Sequence, residues 1–212
     1  MMKSYCFAVA VALAAAVSLP LGASASLVQN PDFELDNGGD PLFPDSWFRG
    51  GSIGYELADD SDGVGSRSAE ITGTGSDYRS SAFFVTPGEP LVWSLDYKFL
   101  DGSSGQFSAD LRFFAGFDPV GGGTAGAFRG EQRIVVTADA TGVWQTLGPN
   151  SLEVPAGALT ADVRISNGFF DDGLVGQGFR IDNVDVRIPE PASLGLAGVA
   201  VAAASLRRRG RR

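Results

Sequence analysis

Leu159, Ala161, Val163 and Ile165 alternate with Thr160, Asp162 and Arg164. A two-residue period of this kind leaves a chain one regular option, the half-buried strand. The same period recurs where Trp93, Leu95, Tyr97 and Phe99 alternate with Ser94, Asp96 and Lys98, and where Ala109, Leu111 and Phe113 alternate with Asp110 and Arg112. Phe179 and Ile181 open a fourth run, continued by Val184 and Val186 after the alternation slips at Asn183. Segments 68–72, 80–85, 133–137 and 143–147 repeat the pattern more weakly. No stretch between residues 26 and 188 holds the 3.6-residue apolar period of a helix. Turn-forming clusters fill the gaps, among them Asn37-Gly38-Gly39-Asp40-Pro41, Thr86-Pro87-Gly88-Glu89-Pro90, Asp101-Gly102 and Asp171-Asp172-Gly173. Eight or so short strands set between turns predict an all-β chain, folded as a single antiparallel β-sandwich or barrel. No internal repeat or linker divides it, so one domain is expected over residues 26–188.

Composition narrows the chemistry. The 212 residues contain no His and one Cys, so there is no Ser-His-Asp triad, no histidine zinc site and no disulfide within the chain. Residues 26–191 hold ten basic side chains (Lys98 and nine Arg) against all 25 acidic ones, a net charge of −15. A core this acidic argues against a nucleic-acid binder, which would need to neutralise phosphates. Gly121-Gly122-Gly123-Thr124-Ala125-Gly126 satisfies G-x-G-x-x-G, yet no apolar helix pattern follows it, and a hairpin tip is expected there.

Both termini have the opposite character. Lys3 precedes an apolar run over residues 7–21, then Ala23-Ser24-Ala25. That order of charged, apolar and small-x-small segments is a signal peptide, with signal peptidase expected to cut after Ala25 and leave Ser26 as the mature N-terminus. At the other end, Pro189-Glu190-Pro191 precedes apolar or small residues 192–206 and then Arg207, Arg208, Arg209, Gly210, Arg211 and Arg212. Fifteen helical residues reach about 22 Å, against the roughly 30 Å of a hydrocarbon core. The arginines would hold this end on the cytoplasmic side.

This tripartite tail resembles the PEP-CTERM sorting signal of Gram-negative bacteria. The resemblance implies that an exosortase recognises Pro189-Glu190-Pro191 and removes the apolar-basic tail. The expected route is then export by the signal peptide, transient anchoring in the inner membrane through segment 192–206, and delivery to the cell surface or extracellular matrix.

The opening of the core, Leu27-Val28-Gln29-Asn30-Pro31-Asp32-Phe33-Glu34 followed by Pro44-Asp45-Ser46-Trp47, resembles the first strand of galactose-binding-like jelly rolls, which include carbohydrate-binding modules. Phe179-Arg180-Ile181-Asp182-Asn183-Val184-Asp185-Val186 is similar to their closing strand. The resemblance implies a jelly-roll sandwich with first and last strands adjacent, and a structural calcium ion shared by Glu34 and Asp182; Arg180 is an alternative partner for these acids. Calcium asks for six to eight oxygens, from carboxylates and loop carbonyls. Trp47, Tyr55, Tyr78 and Trp144 lie in or near polar, Gly-rich sequence and are the candidate sugar-stacking rings, with core packing as the competing role. Three functions remain: a non-catalytic carbohydrate-binding domain, a structural protein of an exopolysaccharide or biofilm matrix, and a carboxylate-dependent glycoside hydrolase. The hydrolase has the least support. Its candidates (Asp59-Asp60, Asp62, Asp101, Asp118, Asp171-Asp172) all sit in loop-like sequence.

Overall fold

A computed structural model describes residues 25–37, 40–50, 53–56, 61, 67–71, 76–100, 106–120, 123–137, 142–167 and 178–189. The signal segment with Ala23, apolar segment 192–206, Glu190, Pro191 and the arginines from Arg207 to Arg212 lie outside these residues. No helix among the described residues is long and apolar enough to cross a membrane. One compact unit spans Ser26–Ile188.

Its described regular structure is all strand: β1 (Asp36–Asn37), β2 (Asp40–Pro44), β3 (Trp47–Gly50), β4 (Ile53–Glu56), β5 (Ser68–Ile71), β6 (Ser76–Ser80), β7 (Phe83–Phe84), β8 (Pro90–Phe99), β9 (Gln106–Phe117), β10 (Thr124–Thr137), β11 (Gln145–Glu153), β12 (Thr160–Asn167) and β13 (Phe179–Arg187). Strands β10-β9-β12-β6-β3 form one antiparallel sheet, with β7 also pairing β12, and β11-β8-β13-β5-β4 form the other. A small β1–β2 ladder stands apart. The molecule is an antiparallel β-sandwich of the jelly-roll class.

The alternating runs became strands because one side of each packs inward. Leu91, Trp93 and Leu95 of β8, Phe107, Leu111 and Phe113 of β9, and Phe179 and Ile181 of β13 are fully buried. The Phe107 and Phe179 rings stack across the sheets at 4.4 Å. Trp93 Nε1 donates to Gln132 Oε1 of the facing sheet at 2.6 Å, which satisfies its polar edge inside the core. The slip at Asn183 is a bulge between Asp182 and Asp185, with Asn183 at φ 48°. Asn tolerates that left-handed conformation, and the bulge returns Val184 and Val186 to the core face.

Three expectations need correction. Strand β12 is buried along its whole length, not on one face, because β9 and β6 flank it and its polar side chains are paired. Leu159 is 53% exposed and lies just before the strand. The run over 80–85 is two strands, β6 and β7, which pair opposite ends of β12. The glycine-rich segment does close a hairpin, where Asp118 N donates to Gly123 O at 2.9 Å between β9 and β10.

Candidate functional site

The two ends of the compact unit meet, although residues 27–33 run as bends and turns and not as the expected first strand. Leu27 N donates to Val186 O at 2.6 Å, and Val184 N donates to Pro31 O at 2.8 Å. Asn30 staples the opening segment: its amide donates to Leu35 O at 2.9 Å and Asp45 O at 3.0 Å, while its Oδ1 accepts from Leu35 N at 2.9 Å. Trp47 Nε1 donates to Asn30 O at 3.0 Å. Phe33, Trp47 and Tyr78 form one ring cluster, with centroids 4.7 Å apart for Phe33–Trp47 and 6.3 Å for Trp47–Tyr78. Their exposures are 0%, 1% and 0%. Trp47 and Tyr78 are therefore core rings beneath the opening segment, and the stacking role expected of them is corrected.

Tyr55 and Trp144 belong to separate parts of the five-stranded sheet. Tyr55 lies on β4, where it pairs Ala69, and Trp144 is a half-buried residue just before β11. Those strands are the two opposite edges of the five-stranded sheet. The side chain of Tyr55 is outside the described residues.

The two carboxylates expected to share calcium are each held by hydrogen-bond donors. Glu34 Oε1 accepts from Arg67 N at 2.6 Å. Asp182, 1% exposed, accepts at Oδ2 from Ser61 N and Ser61 Oγ, both at 3.0 Å, and at Oδ1 from Asn183 N at 2.8 Å. Arg180 Nε donates to Glu70 Oε2 at 2.8 Å. Among the described residues no group of three or more acidic, His or Cys side chains gathers as a metal-binding set. N–H and O–H donors on a carboxylate occupy the lone pairs a cation would use. Ser61, which binds Asp182, is flanked by Asp59, Asp60 and Asp62, and these acids lie outside the described residues.

The charged side chains gather instead on the outer face of the six-stranded sheet. An acid-x-Arg pattern recurs on four of its strands: Asp77-Tyr-Arg79 on β6, Asp110-Leu-Arg112 on β9, Glu131-Gln-Arg133 on β10 and Asp162-Val-Arg164 on β12. Across β10, β9 and β12 these tripeptides are complementary, the acid of one strand facing the arginine of the next, whereas on β6 Arg79 faces Arg164 and binds Asp77 of its own strand. The register shows this, with Asp110 opposite both Arg133 and Arg164, and Arg112 opposite both Glu131 and Asp162. Asp110 Oδ1 accepts from Arg133 Nε at 3.0 Å, and its Oδ2 accepts from Arg164 Nε at 2.8 Å and from Arg164 Nη2. Arg112 grips both Asp162 oxygens at 2.8 and 2.7 Å. Burial pushes the Asp162 carboxyl above its usual value, and the Arg112 guanidinium only partly offsets that. The network was missed because polar positions of an alternating strand read as solvent-facing. The recurring acid-x-Arg spacing was the available signal.

Beyond this network, at one end of the strands, lies a row of aromatics. Register places Phe128 opposite Phe114, Phe114 opposite Thr160, and Thr160 opposite Phe84, so all four share the outer face. Phe84 is 69% and Phe128 55% exposed. The Phe114 and Phe128 rings meet edge-on at 5.6 Å, Phe117 packs on Phe84 at 5.2 Å, and the Arg112 guanidinium lies 5.4 Å from the Phe114 centroid. Rings with open faces beside fixed hydrogen-bonding groups can stack on sugar rings and bind their hydroxyls.

Comparison with known proteins fits this architecture. The enzymatically active domain of the bacteriophage CBA120 tailspike protein 4 superposes with a TM-score of 0.51 at 16% identity, over 77% of this chain and 21% of that one. This chain thus spans about a fifth of the tailspike domain, and the likeness is one of fold. TmCBM61 in complex with β-1,4-galactotriose gives 0.49 at 14% identity, over 78% of this chain and 100% of that one. The CBM22-1 xylan-binding domain from Paenibacillus barcinonensis gives 0.46 at 15%, over 81% and 100%. No curated protein matches the sequence. Residues 187–209 match the PEP-CTERM protein-sorting motif, which begins at the last residue of β13. The motif implies processing by exosortase. The chain therefore carries, directly after an antiparallel β-sandwich, the signal that marks proteins exported and sorted to the surface of Gram-negative bacteria.

Proposed function

We propose that this is an exported surface protein whose sandwich binds polysaccharide, without cleaving it, on the outer face of the six-stranded sheet. The observation that carries the reading is the cross-strand row Phe128–Phe114–Thr160–Phe84, whose outer rings stand open beside the braced Arg112–Asp162 pair. Four adjacent positions at ~4.8 Å spacing cover about 14 Å, the reach of a short oligosaccharide rather than a single ring. The sorting motif supports the setting, since such a protein meets extracellular polymers. Binding without cleavage is supported by the state of the described carboxylates; Asp59, Asp60, Asp62, Asp101, Asp171 and Asp172 lie outside the described residues. A glycosidase needs one acid free to give its proton to the leaving oxygen. Here Asp110 and Asp162 are buried and clasped by guanidinium groups. Asp118 accepts from Val120 N at 2.9 Å in the β9–β10 turn. Maturation follows the route set out above, by cleavage after Ala25, transient inner-membrane anchoring and loss of the apolar-basic tail.

An array of polysaccharides and their monosaccharides tests the reading. The mature protein should bind polymers and ignore single sugars. Equal indifference to every polymer would leave a structural matrix protein with no discrete ligand face.

A further inference from the structure

The two signs of charge on the outer face are not equally accessible. The Arg79 and Arg133 side chains each keep 35% of their surface exposed, while their carboxylate partners Asp77 and Asp110 keep 1% and 0%. Arg112 and Asp162 keep 12% and 5%. Glu131, at 28%, is the more open acid, and it too is bound, by Arg133 Nη2 at 3.3 Å. The carboxylates thus form a lower layer that orients the guanidinium groups above it. A ligand laid on this face meets N–H donors carrying positive charge. Because the carboxylates already hold these side chains in place, little rotamer freedom is left to lose on binding. The four arginines and four acids of this face balance, so the net charge of −15 over residues 26–191 is carried elsewhere in the domain.

The spacing adds a second constraint. Arg133, Asp110, Arg164 and Arg79 lie in register on β10, β9, β12 and β6. The Cα atoms of the two exposed arginines therefore sit three strand spacings apart, about 14 Å, with the Arg133 guanidinium reaching over to Asp110 of the neighbouring strand. Phe48, 41% exposed, stands opposite Arg79 in register on β3. A single anion cannot span both arginines, whereas a chain with repeated carboxylates can.

Resting on the polysaccharide reading above, we propose that the ligand is an acidic polysaccharide. Its carboxylates contact Arg79 and Arg133, and its sugar rings lie on the exposed phenylalanines. Guanidinium–carboxylate hydrogen bonds are charge-assisted and roughly twice as strong as neutral ones.

The test compares polygalacturonate with the same polymer methyl-esterified at its carboxyls, and with neutral xylan, using the full mature protein. Binding to the charged polymer should be about tenfold tighter than to the ester, and the preference should shrink at high salt. Arg79→Gln and Arg133→Gln should each remove most of that preference. Arg187→Gln, an exposed ion-paired arginine of the other sheet, should leave it intact. Thermal melting of each variant checks that the fold is retained. Equal affinity for acid and ester, lowered by Phe84→Ala, would overturn the charge preference and leave glycan binding standing. Acid-selective binding that survives both arginine changes would also overturn it. No binding to any polymer would overturn both readings together.

Discussion

Asp110 offers the sharpest energetic test of the ion-pair network. Its side chain is fully buried and holds two arginines, Arg164 with 6% of its side chain exposed and Arg133 with 35%. Asp110→Asn keeps the volume and removes the charge. The Arg164 guanidinium is then left in the sheet without its counter-charge, and breaking a buried pair in this way costs about 3–5 kcal/mol. The Arg133 arm adds less, since a partly exposed pair is worth ~1 kcal/mol or below. For a domain of this size each kcal/mol moves the melting temperature by roughly 2–4 °C, so Asp110→Asn should melt about 6–20 °C lower. Arg133→Gln should cost no more than about 4 °C on the same scale. The double change Asp110→Leu with Arg164→Met removes both charges and should recover most of the loss, because well-packed apolar replacements of a buried pair are often neutral. Denaturant melts followed by circular dichroism supply the free energies, provided the slope with denaturant is unchanged. An Asp110→Asn variant within ~1 kcal/mol of the parent would refute the buried, mutually dependent network.

Three further outcomes follow from the same geometry. Gly148 sits at φ 108° with Trp93 O only 2.8 Å from where a Cβ would be, so Gly148→Ala should lower the stability by at least ~1 kcal/mol; an unchanged melt would show that the β11–β8 ladder yields easily. Burial raises the Asp162 carboxyl, so the folded state keeps that proton to higher pH than the unfolded chain does. Its contribution is then most favourable below the unfolded value of about 3.9, falls as pH rises towards the folded value, and is level beyond it. The stability of the parent relative to Asp162→Asn should accordingly fall with pH across that window, and a rise would contradict the shift. For calcium, an ion shared by Glu34 and Asp182 would contribute about 2.7 kcal/mol at a hundredfold excess over Kd, and chelation would lower the melting temperature by about 5 °C or more. If the two carboxylates share that ion, Asp182→Asn should abolish the chelator response, and a melting temperature indifferent to both calcium and chelator would contradict the ion.

What was legible in the sequence was whatever depended on one buried face. Strands β8 and β13 announced themselves because a core stands against one side only, β9 and β12 because apolar side chains alternate with polar ones that prove to be paired, and even the Asn183 bulge showed as a break in phase. The sorting signal was legible for a different reason, since its three parts are contiguous. Short strands such as β3 and β4 were not found, because four residues carry too little periodicity. The aromatics misled for a physical reason as well. Polar, Gly-rich neighbours mark Trp47 and Tyr78 as near loops, but the Phe33 ring folds back onto both. The opening-strand resemblance thus turned out to describe fold-building residues, with Asn30 as staple and Phe33 and Trp47 as core. The outer-face rows were hidden because cross-strand pairing brings together residues dozens of positions apart, as with Arg164 and Asp110.

The most direct test of the glycan-binding face is co-sedimentation of the mature surface protein with the exopolysaccharide of the cells that make it, comparing the parent with Phe84→Ala/Phe128→Ala. Both rings are more than half exposed, so their removal should leave the melting temperature nearly unchanged. Loss of sugar–aromatic stacking of this size should weaken binding about tenfold or more. The account predicts that the parent sediments with the polymer and the equally stable double variant stays in solution. Equal sedimentation of the two proteins would contradict it.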